Sequence, residues 1–207
     1  MKCEPGPDLI YSPARKAVRY ETVLMNNSIY DTSPFKGAPR EEQTDAWDEY
    51  ARWQNLVISG DDLKAINRSS IVLADGSGYL ATLDVFHELH CLNIIREYIH
   101  RDYYQSRESP HMQFIHADHC LDTLRQIVQC HGDVSIVTFD WVEHQHDPFP
   151  NFLVNRECRN WDSILDWAKE HQADHDLIVR PPETPYHHPT QTWKPVSEPT
   201  CACIAFE

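Results

Sequence analysis

Two runs decide how this chain is read: Leu83–Tyr104, LDVFHELHCLNIIREYIHRDYY, and Met112–Gln129, MQFIHADHCLDTLRQIVQ. In the first, Val85, Phe86, Leu89, Leu92, Ile95 and Ile99 recur at three- and four-residue steps. In the second, Ile115, Leu121, Leu124, Ile127 and Val128 do the same. That spacing lines one face of an α-helix. Pro110 breaks the first helix from the second, and Gly132 marks where the second stops. The connection is short, so the two helices are expected to be antiparallel neighbours.

Each run carries the same pentapeptide pattern, His-x-x-His-Cys, at His87–Cys91 and at His116–Cys120. With 13 His and 7 Cys in 207 residues, chance placement gives roughly 0.03 copies. Two copies are therefore a signal. Residues three and four apart share a helix face, so His87 joins His90 and Cys91, and His116 joins His119 and Cys120. Side-by-side helices would bring four imidazoles and two sulfurs together, and facing helices with i, i+3 ligands are a known way to hold a metal. Local capping or hydrogen bonding by each His is the plainer reading, and doubling of the motif weakens it. Four imidazoles suit copper, iron, nickel or zinc. Copper and iron imply redox chemistry, zinc a structural or hydrolytic site.

Cys91 and Cys120 have two readings, as thiolate ligands or as a disulfide cross-linking the helices. The disulfide is preferred, because it leaves no buried thiolates to compensate. Chain entropy gives about 3–4 kcal/mol for closing such a loop. Cys130 and Cys158 are candidates for a second bridge. Asp122, three residues after His119, is a candidate to orient an imidazole from behind. It can equally be a solvated helix acid, and Arg125 is expected to pair with it. His144-x-His146 follows a predicted strand and can extend a metal site, though a loop position favours plain surface histidines. His187-His188 near the end carries no assignment.

Outward from the two helices the chain reads as mainly α with a small β component. Residues 1–38 are punctuated by Pro5, Pro7, Pro13 and Pro34 and followed at once by Pro39, and are expected to be irregular. A domain over 39–177 begins with an amphipathic helix from Arg40 to Asn55, striped by Ala46, Trp47, Tyr50 and Trp53. Ser70–Ala74 and Tyr79–Thr82 flank Asp75-Gly76 as a small hairpin. Ser135–Phe139 reads as a strand, and a last helix holds Trp161, Ile164, Leu165, Trp167 and Ala168. Six prolines after Leu177 mark 178–207 as an extended tail.

The net charge of −14 disfavours nucleic acid and anionic membrane as partners. No Gly-rich phosphate loop, Gly-x-Ser-x-Gly or Cys-x-x-Cys occurs, so nucleotide, nicotinamide and serine-hydrolase readings lack support. Sequons at Asn26-Asn27-Ser28 and Asn67-Arg68-Ser69, with the cysteines, favour an oxidising luminal or secreted setting. Met1-Lys2-Cys3-Glu4-Pro5 does not read as a signal peptide, so that setting is expected only if a native N-terminal signal or anchor has been removed from this sequence. A cytosolic chain of free thiols is the alternative.

The doubled motif, extended in its second copy as His119-Cys120-Leu121-Asp122-Thr123-Leu124-Arg125-Gln126, resembles the fungal UstYa-like proteins. Gly37-Ala38-Pro39 leading to Asp45-Ala46-Trp47, and Cys158-Arg159-Asn160-Trp161 leading to Trp167, are similar too. The resemblance spans about residues 10–175. It implies a copper-dependent oxidase of fungal secondary metabolism, with copper on His87, His90, His116 and His119, and zinc or iron less favoured. Oxidative cyclisation, hydroxylation, desaturation or halogenation of a peptide or small-molecule intermediate would follow, with dioxygen as co-substrate. A homo-oligomer, or a hetero-oligomer with a related family member, is a further expectation. Two features depart from the family pattern. Members usually carry an N-terminal transmembrane helix, and many have a His where this chain has Arg156. The rival readings are a metal-independent cyclase or isomerase using a motif His as general acid–base, and a non-catalytic partner stabilised by zinc.

Overall fold

The computed structural model describes residues 10–143 and 145–180. A 3-10 turn at Pro13–Ala17 leads into β1 (Tyr20–Asn26), then α1 (Glu41–Arg52), β2 (Leu56–Ile58), α2 (Gly60–Ala65) and β3 (Tyr79–Ala81). The long pair α3 (Asp84–Ile99) and α4 (Pro110–His131) follows. The chain then runs through β4 (Phe139–Asp140), β5 (Phe149–Pro150), β6 (Leu153–Arg159), α5 (Trp161–Glu170) and a 3-10 turn at His175–Leu177. Helices dominate, and the β part is three two-stranded antiparallel ladders, β1 with β6, β2 with β3 and β4 with β5.

Local chemistry sets the ends of the two motif helices. Ser109 caps α4, its side chain accepting from the Met112 amide, and Pro110 occupies the first turn, where its missing N–H costs nothing. Gly132 ends α4 in the left-handed region at φ 49°, which a Cβ would disfavour. α3 stops at Ile99, short of the expected Tyr104, because the amides of Tyr103 and Tyr104 both turn back onto the His100 carbonyl.

The core lies under the N-terminal half of α3. Phe86 is 1% exposed and packs with Ala14, Leu56, Trp167 and Ala168. Full burial of such a ring contributes about 1.5–3 kcal/mol. Trp161 meets Phe86 edge-on at 5.8 Å and Tyr50 at 5.8 Å, and Tyr50 stacks on Phe35 at 5.5 Å. This aromatic series runs from Phe35 through α1 (Tyr50) and the start of α5 (Trp161) to Phe86, and so anchors the helix that carries the first motif. Arg96, on α3, is buried with its guanidinium over the Tyr104 ring at 4.6 Å and the Trp47 ring at 5.5 Å. It donates to Asn93 Oδ1, Gln43 Oε1 and the Tyr104 hydroxyl.

Several expectations are corrected. The run to residue 38 is not wholly irregular, since β1 lies inside it. Its seven residues pair with β6, from Tyr20 opposite Arg159 to Asn26 opposite Leu153, a partner more than a hundred residues away. Ser70–Ala74 is not a full strand: it meets β3 through the single Val72–Tyr79 bridge, with the Leu73 amide donating to the Gly78 carbonyl and the Leu80 amide to the Ile71 carbonyl, while β3 pairs fully with Leu56–Ile58. Ser135–Phe139 stays irregular except for Phe139, which pairs with Pro150. Helix α2 was not anticipated, although Ser59 and Asp62 form a full capping box at its start. Among the described residues, no helix is long and apolar enough to cross a membrane. The Pro-rich stretch from Pro181, with His187, His188, Cys201 and Cys203, lies outside the described residues, as do Cys3 and His144.

Candidate metal centre

The two motif helices pack against each other along their length. The His90 and His116 rings lie 5.8 Å apart between centroids, and those of His87 and His119 lie 6.3 Å apart. The lower-numbered His of α3 meets the higher-numbered His of α4, so the contacts run in opposite sequence order. Within α3, His87 and His90 stack at 6.4 Å. All four motif imidazoles thus belong to one cluster of side chains, assembled from positions that only helical periodicity and packing could join.

The two sulfurs sit inside the seam. Cys91 and Cys120 are 0% and 1% exposed, and they interact with each other. Cys91 Sγ also lies 3.8 Å from His87 Nε2. Burial, and then the hydrogen bond and charge of Cys91, push the Cys120 thiol up to about 12. At neutral pH and with no metal bound, that sulfur is protonated. All four described cysteines are free thiols here, Cys130 exposed and Cys158 half-buried.

Burial holds the His90 imidazole below the ordinary histidine range, and the neighbouring His116 and His87 add to the effect. A neutral ring keeps a lone pair available to a cation. Two carboxylates that the sequence reading did not single out stand behind the rings. Asp84 Oδ1 is 3.7 Å from His87 Nδ1, and Glu108 Oε1 is 3.4 Å from His116 Nδ1. Both distances exceed a good hydrogen bond. Asp84 sits three residues before His87 and was legible as a helix-face neighbour. Glu108 belongs to the turn before α4, where spacing gives no such clue. Glu88 borders the same cluster. Burial raises its carboxyl above the usual range, Asp84 adds to that, and His131, Arg159 and His87 offset it.

Asp122 is engaged with its own helix. Its Oδ1 accepts from Arg125 Nε at 2.7 Å and its Oδ2 from Gln126 Nε2 at 2.7 Å. These bonds hold its carboxyl below the usual range, with a smaller contribution from the charge of His119. The expected Asp122–Arg125 pair is therefore present. His146 is fully exposed, beside Asp147 at 3.6 Å. Arg156 pairs with Asp133, just beyond α4, and so ties β6 to the end of the second motif helix.

Imidazole-rich surroundings fit copper in donor chemistry. Two imidazoles bound to one ion at ~2 Å span roughly 5–6 Å between ring centres, close to the separations found here. Among the described residues, however, no three His, Cys, Asp or Glu side chains are arranged as a closed ligand sphere. Side-chain rotation about the packed helices would be needed to aim the nitrogens at one point.

Residues 2–171 match the family model described as Mycotoxin biosynthesis protein UstYa. The chain is 29% identical over 208 residues to UstYa family oxidase aprY of Aspergillus flavus, covering 88% of this chain and 61% of that protein. It is 33% identical over 166 residues to UstYa family oxidase phomYc of Diaporthe leptostromiformis, covering 73% of this chain and 64% of that protein. Two further relatives from Talaromyces islandicus are named Transacylase cctO, at 23% identity, and Chlorinase cctP2, at 29%; they align with 80% and 82% of this chain and with 61% and 56% of their own lengths. The chain thus spans about three-fifths of the length of the curated relatives it matches. No solved structure matches it. On the family match across nearly its whole length, the chain belongs to the UstYa family.

Proposed function

We propose that this chain is a copper-dependent oxidative tailoring enzyme of fungal secondary metabolism, acting on a peptide or small-molecule intermediate by cyclisation, hydroxylation, desaturation or halogenation. The observation that best supports this reading is the meeting of the two motifs, His90 with His116 and His87 with His119. The oxidase and chlorinase names of the relatives are in keeping with it.

In this reading α3 and α4 are antiparallel supports that present the paired motifs, and His87, His90, His116 and His119 hold the metal. Copper, when bound, supplies one-electron redox chemistry and the activation of dioxygen. Its protein ligands have to be deprotonated, and burial keeps His90 in that state. Asp84 and Glu108 are the carboxylates nearest Nδ1 of His87 and His116, at 3.7 and 3.4 Å, and would orient those two rings on closing to hydrogen-bond distance when the metal is held. Cys91 and Cys120 close into a disulfide in an oxidising compartment and fix the helix spacing. The test is a Cu(II) titration of the full chain followed by electron paramagnetic resonance, with turnover measured in air and under nitrogen. Nitrogen hyperfine structure from several imidazoles, and activity lost on chelation or without dioxygen, are expected. Stoichiometric zinc with no Cu(II) signal would instead mark a structural site and sink the proposal.

A second reading draws on the neutral state of His90 and on the relative named a transacylase. Here His90 is a general base and no metal takes part. Under that reading, full turnover survives both chelation and nitrogen.

A further inference from the structure

The α3–α4 hairpin has a second side that the metal centre does not use. Toward α3, α4 turns Gln113, Ala117, Cys120, Leu124 and Ile127, all buried or half-buried. One position further round, Phe114, Leu121 and Val128 stand 54%, 60% and 71% exposed. They are seven residues apart, two helical turns, and so form a single stripe about 21 Å long. On α3 the same phase, one position beyond Cys91, Ile94 and Tyr98, holds Leu92, Ile95 and Ile99, with Leu92 and Ile99 43% and 66% exposed. The ring contacts run in opposite order along the two helices. In that arrangement, positions just after the seam residues fall on one common side. His90 and His116 come just before their seam neighbours, on the other side. The hairpin therefore carries imidazoles on one flank and a continuous apolar face on the opposite one. A contiguous exposed apolar face is a mark of an interaction site.

We propose that this face joins two copies of the chain in a twofold dimer, α4 packing antiparallel against α4 of the second copy with Leu121 at the centre. The pattern is self-complementary, as an isologous contact requires. Centring on Leu121 sets Phe114 against the second copy's Val128. It also sets the exposed Asp118 of each copy near the exposed Arg125 of the other, twice by symmetry. A parallel arrangement would oppose like charges instead. Asp118 and Asp122 beside the stripe, on a chain of net charge −14, make an anionic membrane a poor occupant.

Sedimentation velocity of the full chain at micromolar concentration tests this. The wild type should run as a dimer that dissociates on dilution, and Leu121→Glu as a monomer with unchanged helical circular dichroism. Asp118→Arg and Arg125→Asp should each weaken the dimer about tenfold, and the two together should restore it to within about threefold of wild type. The charge swap carries the test should Leu121→Glu fail to fold. A wild type that stays monomeric overturns the proposal, as does a Leu121→Glu dimer or a charge pair that shows no coupling. Binding of the monomer to phosphatidylcholine vesicles, abolished by Leu121→Glu, would assign the face to lipid and overturn it as well.

Discussion

His90 of α3 and His116 of α4 face each other across the helix seam with ring centroids 5.8 Å apart and planes inclined at 49°. Each comes from a different copy of the motif, so a metal shared across the seam would depend on both helices. Replacing either by Ala should lower Cu(II) affinity by more than about 100-fold while leaving the helices folded, since neither ring belongs to the apolar core. Isothermal titration of the single and double variants checks this. A double variant no worse than either single one identifies a shared ion, whereas independent losses would separate the motifs into two sites.

Asp122 gives a contrasting case. Both its oxygens are taken by Arg125 and Gln126, so Asp122→Asn is expected to change copper affinity by less than about threefold. A partner that orients a metal-bound imidazole typically costs 10–100-fold on removal. A loss in that range would return Asp122 to the role the sequence suggested. Glu108→Gln, behind His116, is the companion variant in which the larger loss is expected.

The buried pair Cys91 and Cys120 can be read by mass spectrometry. In protein made through an oxidising compartment, alkylation of the unfolded but unreduced chain should leave both unlabelled, and reduction should expose both. Exposed Cys130 should label without unfolding, unless it is bridged to Cys158. If Cys91 and Cys120 label on unfolding alone, the disulfide is ruled out. Where the bridge forms, Cys120→Ala should lower stability by about 3–4 kcal/mol, the entropy of the loop released.

Glu97 supplies a pH test away from the centre. Burial raises its carboxyl above the usual range, only partly offset by Arg96. The folded state therefore holds the proton more tightly than the unfolded one. The stability this adds is complete below the unfolded value near 4.3 and is lost as pH rises through the folded value. Glu97→Gln should accordingly raise Tm at pH 7 by about 1–2 °C and give no advantage near pH 4. Calorimetry at the two pH values decides it. An equal gain at both would point to packing rather than charge.

Gly78 tests the sheet that precedes α3. A Cβ there would lie 2.6 Å from Val57 Cγ1 and 2.8 Å from the Ile58 carbonyl oxygen, and backbone cannot yield cheaply. Gly78→Ala should cost about 1–3 kcal/mol by chemical denaturation. A neutral result would mean that β2 and β3 are not held in this register.

The repeated motif, the helices that bear it and the breaks between them were legible because each is a local matter. Helical period, a proline in the first turn and a glycine at the end act within a few residues, whatever the rest of the chain does. The same reasoning placed the Asp122–Arg125 pair, three residues apart on one helix face. It missed β1 and β6, whose pairing joins Tyr20 to Arg159 and whose separate segments show little alternation. It missed Arg96 between Trp47 and Tyr104, and Glu108 behind His116, since those contacts are made through space. Which motif ring meets which, how deeply Cys91 and Cys120 are buried, and which apolar residues stay outside depend on the register between two packed helices. That register is set by the aromatic and aliphatic side chains that fill the seam and core together, and a one-dimensional pattern does not contain it.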